Sequence, residues 1–243
     1  MSRISREIEF GKTIRVNAED VWGWNSSAGK LRATRRADYL VHYGEFIRED
    51  KLLEIGCGTG IFTEKVYNKT KASITAIDVS KELLNQAISK LPTVEFRVAD
   101  AMKTEMPAES FDGIYGSSVL HHLNVDNAIA EIHRLLKPGG RMVFAEPNIL
   151  NPQIFIERNM GLVKDWLGIT PDETAINRWK MIKRLKNNGF VNCIVFPYDF
   201  LHPYTPEWMI GFVSRIGAVI EKIPVLKEFA GSVIIYAKKP NSS

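Results

Sequence analysis

Three sets of residues in this chain have types and spacings that could bind and process a nucleotide-like ligand. In Glu54-Ile55-Gly56-Cys57-Gly58-Thr59-Gly60 an acid precedes three glycines at alternate positions. Glycine permits positive φ, and without a Cβ it lets a ligand approach the backbone closely. Asp78, in Ile77-Asp78-Val79-Ser80, follows about 18 residues after Gly60. A carboxylate there can accept both hydroxyls of a ribose; the alternative is a cap on a helix starting near Ser80. Asp100, in Val98-Ala99-Asp100-Ala101-Met102, can accept the exocyclic amine of adenine while neighbouring backbone adds a hydrogen bond. It could instead cap a turn, and Met102 could cover an adenine face or simply fill a packing gap.

These residues must be held by alternating strands and helices. Five short apolar runs are expected as strands: Lys51–Ile55, Ser73–Ile77, Val94–Val98, Phe111–Tyr115 and Arg141–Ala145. Helical patterns separate them at Phe62–Asn68, Lys81–Lys90 and Asn127–Leu136, which argues for a parallel sheet with right-handed crossovers. Leu31–Ile47 has helical periodicity, whereas residues 1–30 read as an irregular leader carrying Trp22 and Trp24. Leu135-Leu136-Lys137-Pro138-Gly139-Gly140 reads as a helix stop followed by a turn. Further on, Pro147–Pro171 is an aromatic insertion with Phe155, Trp166 and Leu167, and Glu173–Asn187 is a helix ended by Asn188-Gly189. Phe190–Phe196 and Gly231–Lys238 are strands six and seven, separated by a second amphipathic insertion, Pro206–Ile223, with Pro206 suited to a first helical position. Acids ending strands two and three, glycines after strand one: each candidate falls at a strand's carboxyl end, where open α/β sheets bind ligands.

The bulk composition is that of an ordinary globular protein: 243 residues, 45% hydrophobic and 25% charged. The 32 cations against 28 anions give a net charge of +4, too small an excess for a nucleic-acid footprint. No window is long and apolar enough to span a membrane, and no signal peptide is visible, so a cytoplasmic protein is expected. Cys57 and Cys193 are not expected to form a disulfide.

The spacing E-x-G-x-G-x-G resembles motif I of the class I S-adenosylmethionine-dependent methyltransferases, whereas the dinucleotide fingerprint would need glycine where the chain has Ile61. The stretch Phe111-Asp112-Gly113-Ile114-Tyr115-Gly116-Ser117-Ser118-Val119-Leu120-His121-His122-Leu123 resembles the strand-four motif of the small-molecule branch, methyltransferase type 11 or ubiquinone-biosynthesis-like, and of phosphoethanolamine methyltransferases. The resemblance covers about residues 50–147 and implies a single Rossmann-like α/β domain over 1–243. Its seven-stranded, mostly parallel sheet would have the last strand antiparallel and helices on both faces. Residues 1–48 would form a lid and helix, 49–147 the cofactor core, and 148–172 and 203–226 substrate-side insertions.

The resemblance further implies S-adenosyl-L-methionine held by Glu54, Gly56, Gly58, Asp78, Val79, Asp100, Ala101, Met102 and Ser117, with no metal. It sets His122 where phosphoethanolamine methyltransferases keep a catalytic histidine, able to take a proton from an acceptor hydroxyl; the alternatives are packing for His122 and a base role for His121. Arg32 or Arg36 would bind the methionine carboxylate or an anionic substrate, or form a solvated helix face. Glu146 is a second candidate for touching the acceptor. The aromatic insertions suggest an apolar acceptor pocket or a surface for lipid or another subunit, with core packing as the alternative. Methyl transfer to a small-molecule hydroxyl is therefore expected; a macromolecular acceptor and a non-catalytic nucleotide-binding protein are the competing readings. Strand four lacks the Asn/Asp-Pro-Pro-aromatic motif of adenine methylation, and no nucleic-acid partner is expected.

Overall fold

The computed structural model describes residues 3–160 and 174–241. The chain begins with helices α1 (Arg3–Ile14), α2 (Ala18–Val21) and α3 (Ser27–Gly44), then enters β1 (Lys51–Ile55), α4 (Ile61–Thr70), β2 (Ser73–Asp78), α5 (Lys81–Lys90) and β3 (Glu95–Val98). Then come β4 (Phe111–Ser117), α6 (Val125–Leu135), β5 (Leu136–Pro147), α7 (Pro152–Asn159), α8 (Arg178–Asn187), β6 (Val191–Tyr198), α9 (Glu207–Ile220) and β7 (Ser232–Lys238). The strands form one sheet in the order β3-β2-β1-β4-β5-β7-β6. Pairings among β1 to β5 are parallel, and β7 runs antiparallel to both β5 and β6.

Side chains alternate across this sheet, so neighbouring residues feed two different cores. Leu53, Ile55, Met142 and Phe144 pack with Ile129 and Ile132 of α6 and Met181 and Leu185 of α8. Leu52, Val143 and Ala145 pack on the other face with Ala37 and Leu40 of α3 and Phe62 and Val66 of α4. Between β1 and β4 the strand order reverses, because β2 and β3 lie to one side and β4 and β5 to the other. Such a switch point leaves a crevice at the strands' carboxyl ends.

Several sequence expectations are corrected. Residues 1–30 are mostly helical: Phe10, Ile14, Ala18 and Trp22 cluster around Leu83, a small core distant in sequence. Helix α3 also starts earlier than Leu31, because Ser26 caps it by accepting a bond from the Gly29 N–H at 2.9 Å. Leu136–Gly140 is strand rather than turn. Helix α6 does stop at Leu135, but β5 begins at once, and Gly139 at φ 77° absorbs an irregularity opposite β4. Pro206 is the residue before α9 rather than its first, and α8 begins at Arg178. Trp166, Leu167 and the expected helix start at Glu173 lie outside the described residues.

Candidate active site

The glycine run forms the turn from β1 into α4, with Gly56, Gly58 and Gly60 all at positive φ. Gly56 and Gly58 also lack room for a side chain: a Cβ on Gly56 would lie 2.4 Å from Val119, and one on Gly58 3.0 Å from the Trp22 ring. Asp78 at the end of β2 fastens the loop. Its Oδ2 accepts from the Gly58 N–H and its Oδ1 from the Ser80 N–H, each at 2.9 Å. Ser80, not Asp78, caps α5. Burial raises the Asp78 carboxyl, with Glu7 adding to the effect, while the N–H groups of Ser80, Gly58 and Val79 oppose it. Asp100 beyond β3 receives the Met102 N–H at 3.1 Å and the Arg3 guanidinium at 3.0 Å, both on Oδ1.

Helix α3 brings a cation to the same place. Arg36 is buried at 3% exposure and donates to Ser117 Oγ at 3.0 Å, Ser118 Oγ at 2.8 Å and Ser232 Oγ at 2.8 Å. Its guanidinium also lies 5.0 Å from the Trp24 ring centroid. Arg36 has no carboxylate partner among the described residues, and its Nε finds no acceptor. A buried charge without a counter-ion is costly, which marks a place for an anion. Arg32 differs, since Asp199 neutralises it at 2.8 Å.

On the other side stand two histidines in the short helical turn Leu120–His122. His121 is buried, and its Nδ1 lies 2.7 Å from Oε2 of fully buried Glu146 at the end of β5. The other Glu146 oxygen accepts the N–H groups of Val119 and Leu120, each at 2.9 Å. Burial alone would raise the Glu146 carboxyl, but His121 and those two N–H groups hold it below its ordinary value. Burial, together with His122, lowers His121, so the pair is a neutral imidazole donating Nδ1–H to a carboxylate. The His122 ring lies 4.1 Å from that of His121, centroid to centroid, and its Nδ1 is 3.3 Å from Glu7 Oε1 on α1.

Apart from Gly60 and the fully buried Glu146, which stands behind His121 and does not reach the acceptor side, these groups border one cleft of about 1180 Å³, a little above the ~300–1,000 Å³ common for ligand sites. Gly56, Gly58, Asp78, Val79, Asp100, Ala101, Ser117 and His122, all candidates from the sequence, line it. Two expected residues do not. Glu54 shares the parity of Leu52, so its carboxylate is buried beneath the helices and accepts the Tyr115 hydroxyl at 2.9 Å. Met102 packs against the core instead. The insertion aromatics also diverge from a pocket lining: Phe155, Trp208 and Phe212 are 53%, 83% and 64% exposed. Conversely, Arg3 and Glu7 border the cleft without having been expected, because α1 was read as irregular. The apolar residues Ile4, Ile8, Gly11 and Ile14, three or four apart, were the available sign of that helix.

Comparison with known proteins agrees with this arrangement. Residues 53–144 match a family model described as a methyltransferase domain. An uncharacterised methyltransferase-like protein of Schizosaccharomyces pombe is 35% identical over 197 residues, covering 78% of this chain and 75% of that protein. An O-methyltransferase of Penicillium expansum is 38% identical over 104 residues, 40% of this chain and 38% of its own length. The 27-O-demethylrifamycin SV methyltransferase of Amycolatopsis mediterranei is 28% identical over 157 residues, 57% of this chain and 58% of its own. The chain thus spans well under two thirds of the latter two. Among solved structures, Haemonchus contortus phosphoethanolamine N-methyltransferase 2 superposes with a TM-score of 0.66 at 18% identity, covering 91% of this chain and 57% of that one. The cyclase SpnF superposes at 0.62 with 19% identity, covering 97% of both. At such identities the two structures share the fold. From the loop, the strand-end acids and the match extending over three quarters of a relative, the chain belongs to the class I S-adenosylmethionine-dependent methyltransferases.

Proposed function

We propose that this chain, acting as one domain in the cytoplasm, methylates a hydroxyl oxygen of a small-molecule acceptor, with His122 as general base. The observation that carries the reading is the division of one cleft into two chemically distinct halves. One half has the loop glycines, two carboxylates and an uncompensated guanidinium; the other has paired imidazoles backed by a carboxylate. S-adenosylmethionine supplies a methyl group made electrophilic by its sulfonium. In this reading Asp78 accepts the ribose hydroxyls, and Asp100 takes the adenine amine on Oδ2, which has no partner among the described residues. Val79 and Ala101 flank the base, the carbonyl of Ser117 receives the amino group, and Arg36 pairs with the carboxylate. A loop whose glycines sit at positive φ lets such a ligand approach its backbone.

Glu7 Oε1 lies 3.3 Å from Nδ1 of His122, and in this reading the imidazole takes the acceptor's hydroxyl proton as the methyl group moves. The Glu146–His121 pair fixes the neighbouring ring in place. Trp22, just after α2, packs over the glycine loop, and Arg3 and Glu7 of α1 border the cleft; together they exclude water while the acceptor oxygen is held in line with the methyl group. The relatives named as O-methyltransferases support oxygen as the acceptor atom. Two unpaired thiols, Cys57 and Cys193, fit a reducing compartment.

Calorimetric titration with S-adenosylmethionine, S-adenosylhomocysteine and NAD tests the cofactor half: the first two are expected to bind and NAD not to. For the catalytic half, His122→Ala should keep cofactor affinity while turnover on a hydroxylated acceptor falls about 10²-fold or more. A loss below about threefold would return His122 to packing.

A further inference from the structure

Helix α9 is almost wholly apolar, in Glu207-Trp208-Met209-Ile210-Gly211-Phe212-Val213-Ser214-Arg215-Ile216-Gly217-Ala218-Val219-Ile220, yet Gly217 is its only buried residue. Its inner side, with Val213, Ser214 and Gly217, faces α3 across a shallow groove. The opposite side presents Trp208, Phe212, Ile216 and Val219, spaced three or four apart and between 42% and 83% exposed. The apolar surface continues beyond the helix through Ile223, Val225, Leu226 and Phe229. Exposed apolar side chains so concentrated mark an interaction face.

The charges say what that face meets. Every acid of Tyr204–Phe229 is engaged by the protein itself: Glu207 accepts from Ser27, Glu221 holds Arg35, and Glu228 pairs with Arg178 at 3.0 Å. The cations are not. Arg215 falls on the exposed arc beside Trp208 and Val219, and Lys222 and Lys227 follow in the segment beyond the helix. None of the three has an ion-pair partner among the described residues. A helix with tryptophan and phenylalanine outward and cations on the same arc suits the headgroup region of a bilayer, where rings sit in the interface and long cationic stems reach phosphates. An isologous contact between two copies would instead set these same cations against each other without an acid to balance them.

We propose that α9 and the following segment to Phe229 dock this protein peripherally on an anionic lipid surface. Both lie in the connection from β6 to β7, at the same end of the sheet as the cleft, whose lining includes Tyr204. The docking itself does not rest on methyl transfer.

Flotation of the full chain with vesicles of phosphatidylcholine, with and without phosphatidylglycerol, tests this directly. Binding to the anionic vesicles is expected, weakened about fivefold for each cation lost, so about 25-fold in Arg215→Gln/Lys222→Gln. Trp208→Ser/Phe212→Ser should lower binding about tenfold or more. Unchanged thermal midpoints would show that these exposed substitutions leave the fold intact. Wild-type protein that stays off anionic vesicles would overturn the proposal, as would both variants binding like the wild type. So would a dimer in sedimentation equilibrium that Trp208→Ser/Phe212→Ser abolishes without any vesicle binding.

Discussion

Arg36 is the residue on which the cofactor half of the cleft turns. Three serine hydroxyls accept from its two terminal nitrogens without neutralising its charge, its Nε has no acceptor, and Trp24 contributes only its ring face. That environment holds a guanidinium ready for an anion and is strained in electrostatic terms until one arrives. If the anion is the carboxylate of the methionine moiety, Arg36→Met should cost S-adenosylhomocysteine on the order of 1.5–3 kcal/mol of binding, roughly 10- to 150-fold. Methylthioadenosine, which has the same nucleoside but no carboxylate, should bind the variant and the wild type alike. Calorimetry with both ligands separates a lost ion pair from a damaged site, because damage would weaken both.

At the scale of elements, we propose that α1 acts as a lid, tied to the cleft by polar side chains and to α5 by an apolar end. Phe10 and Ile14 anchor it near Leu83, while Arg3 and Glu7 reach Asp100 and His122 inside the cleft. If a bound ligand leaves past this helix, removing the helix should act mainly on dissociation. Deleting residues 1–16 is expected to raise the S-adenosylhomocysteine dissociation constant roughly tenfold, the equivalent of about 1.4 kcal/mol, with most of the change in the off-rate measured by stopped flow. Equal rates in the two proteins would remove the lid. The same helix marks where sequence stopped being informative. The strands and crossover helices were legible because their apolar residues repeat over a whole element, and Asp78 and Asp100 because they end such runs. Helix α1 ends just before Asn17 and packs on a residue some seventy positions away, a contact no local pattern carries. Glu54 was misplaced for a different reason. Its position next to the glycines suggested the ligand, but strand parity decides the direction of a side chain, and parity sends Glu54 to the side of Leu52.

Across the whole molecule, that buried Glu54 should make stability depend on pH. Burial raises its carboxyl from 4.5 to about 7, against smaller opposing effects of the Thr63 and Tyr115 hydroxyls. The folded state therefore holds this proton more tightly than the unfolded chain does. Below the unfolded value both states are protonated and Glu54 costs nothing; as pH rises from 4.5 through 7, the unfolded chain releases the proton first and the folded state loses ground. A displacement of this size corresponds to about 3 kcal/mol by the time both states are ionised. Glu54→Gln keeps an oxygen to accept the Tyr115 hydroxyl and has no charge to bury. Urea unfolding of both proteins at about pH 4 and about pH 8 should give nearly equal stabilities at the acid end and an advantage of about 3 kcal/mol for the variant at the alkaline end. Carboxylates remote from it titrate identically in both proteins, so the difference between the two curves belongs to Glu54 and to Asp78, the acid whose charge acts on it. A constant difference across that range would mean that Glu54 is ionised throughout, with its charge compensated inside the fold.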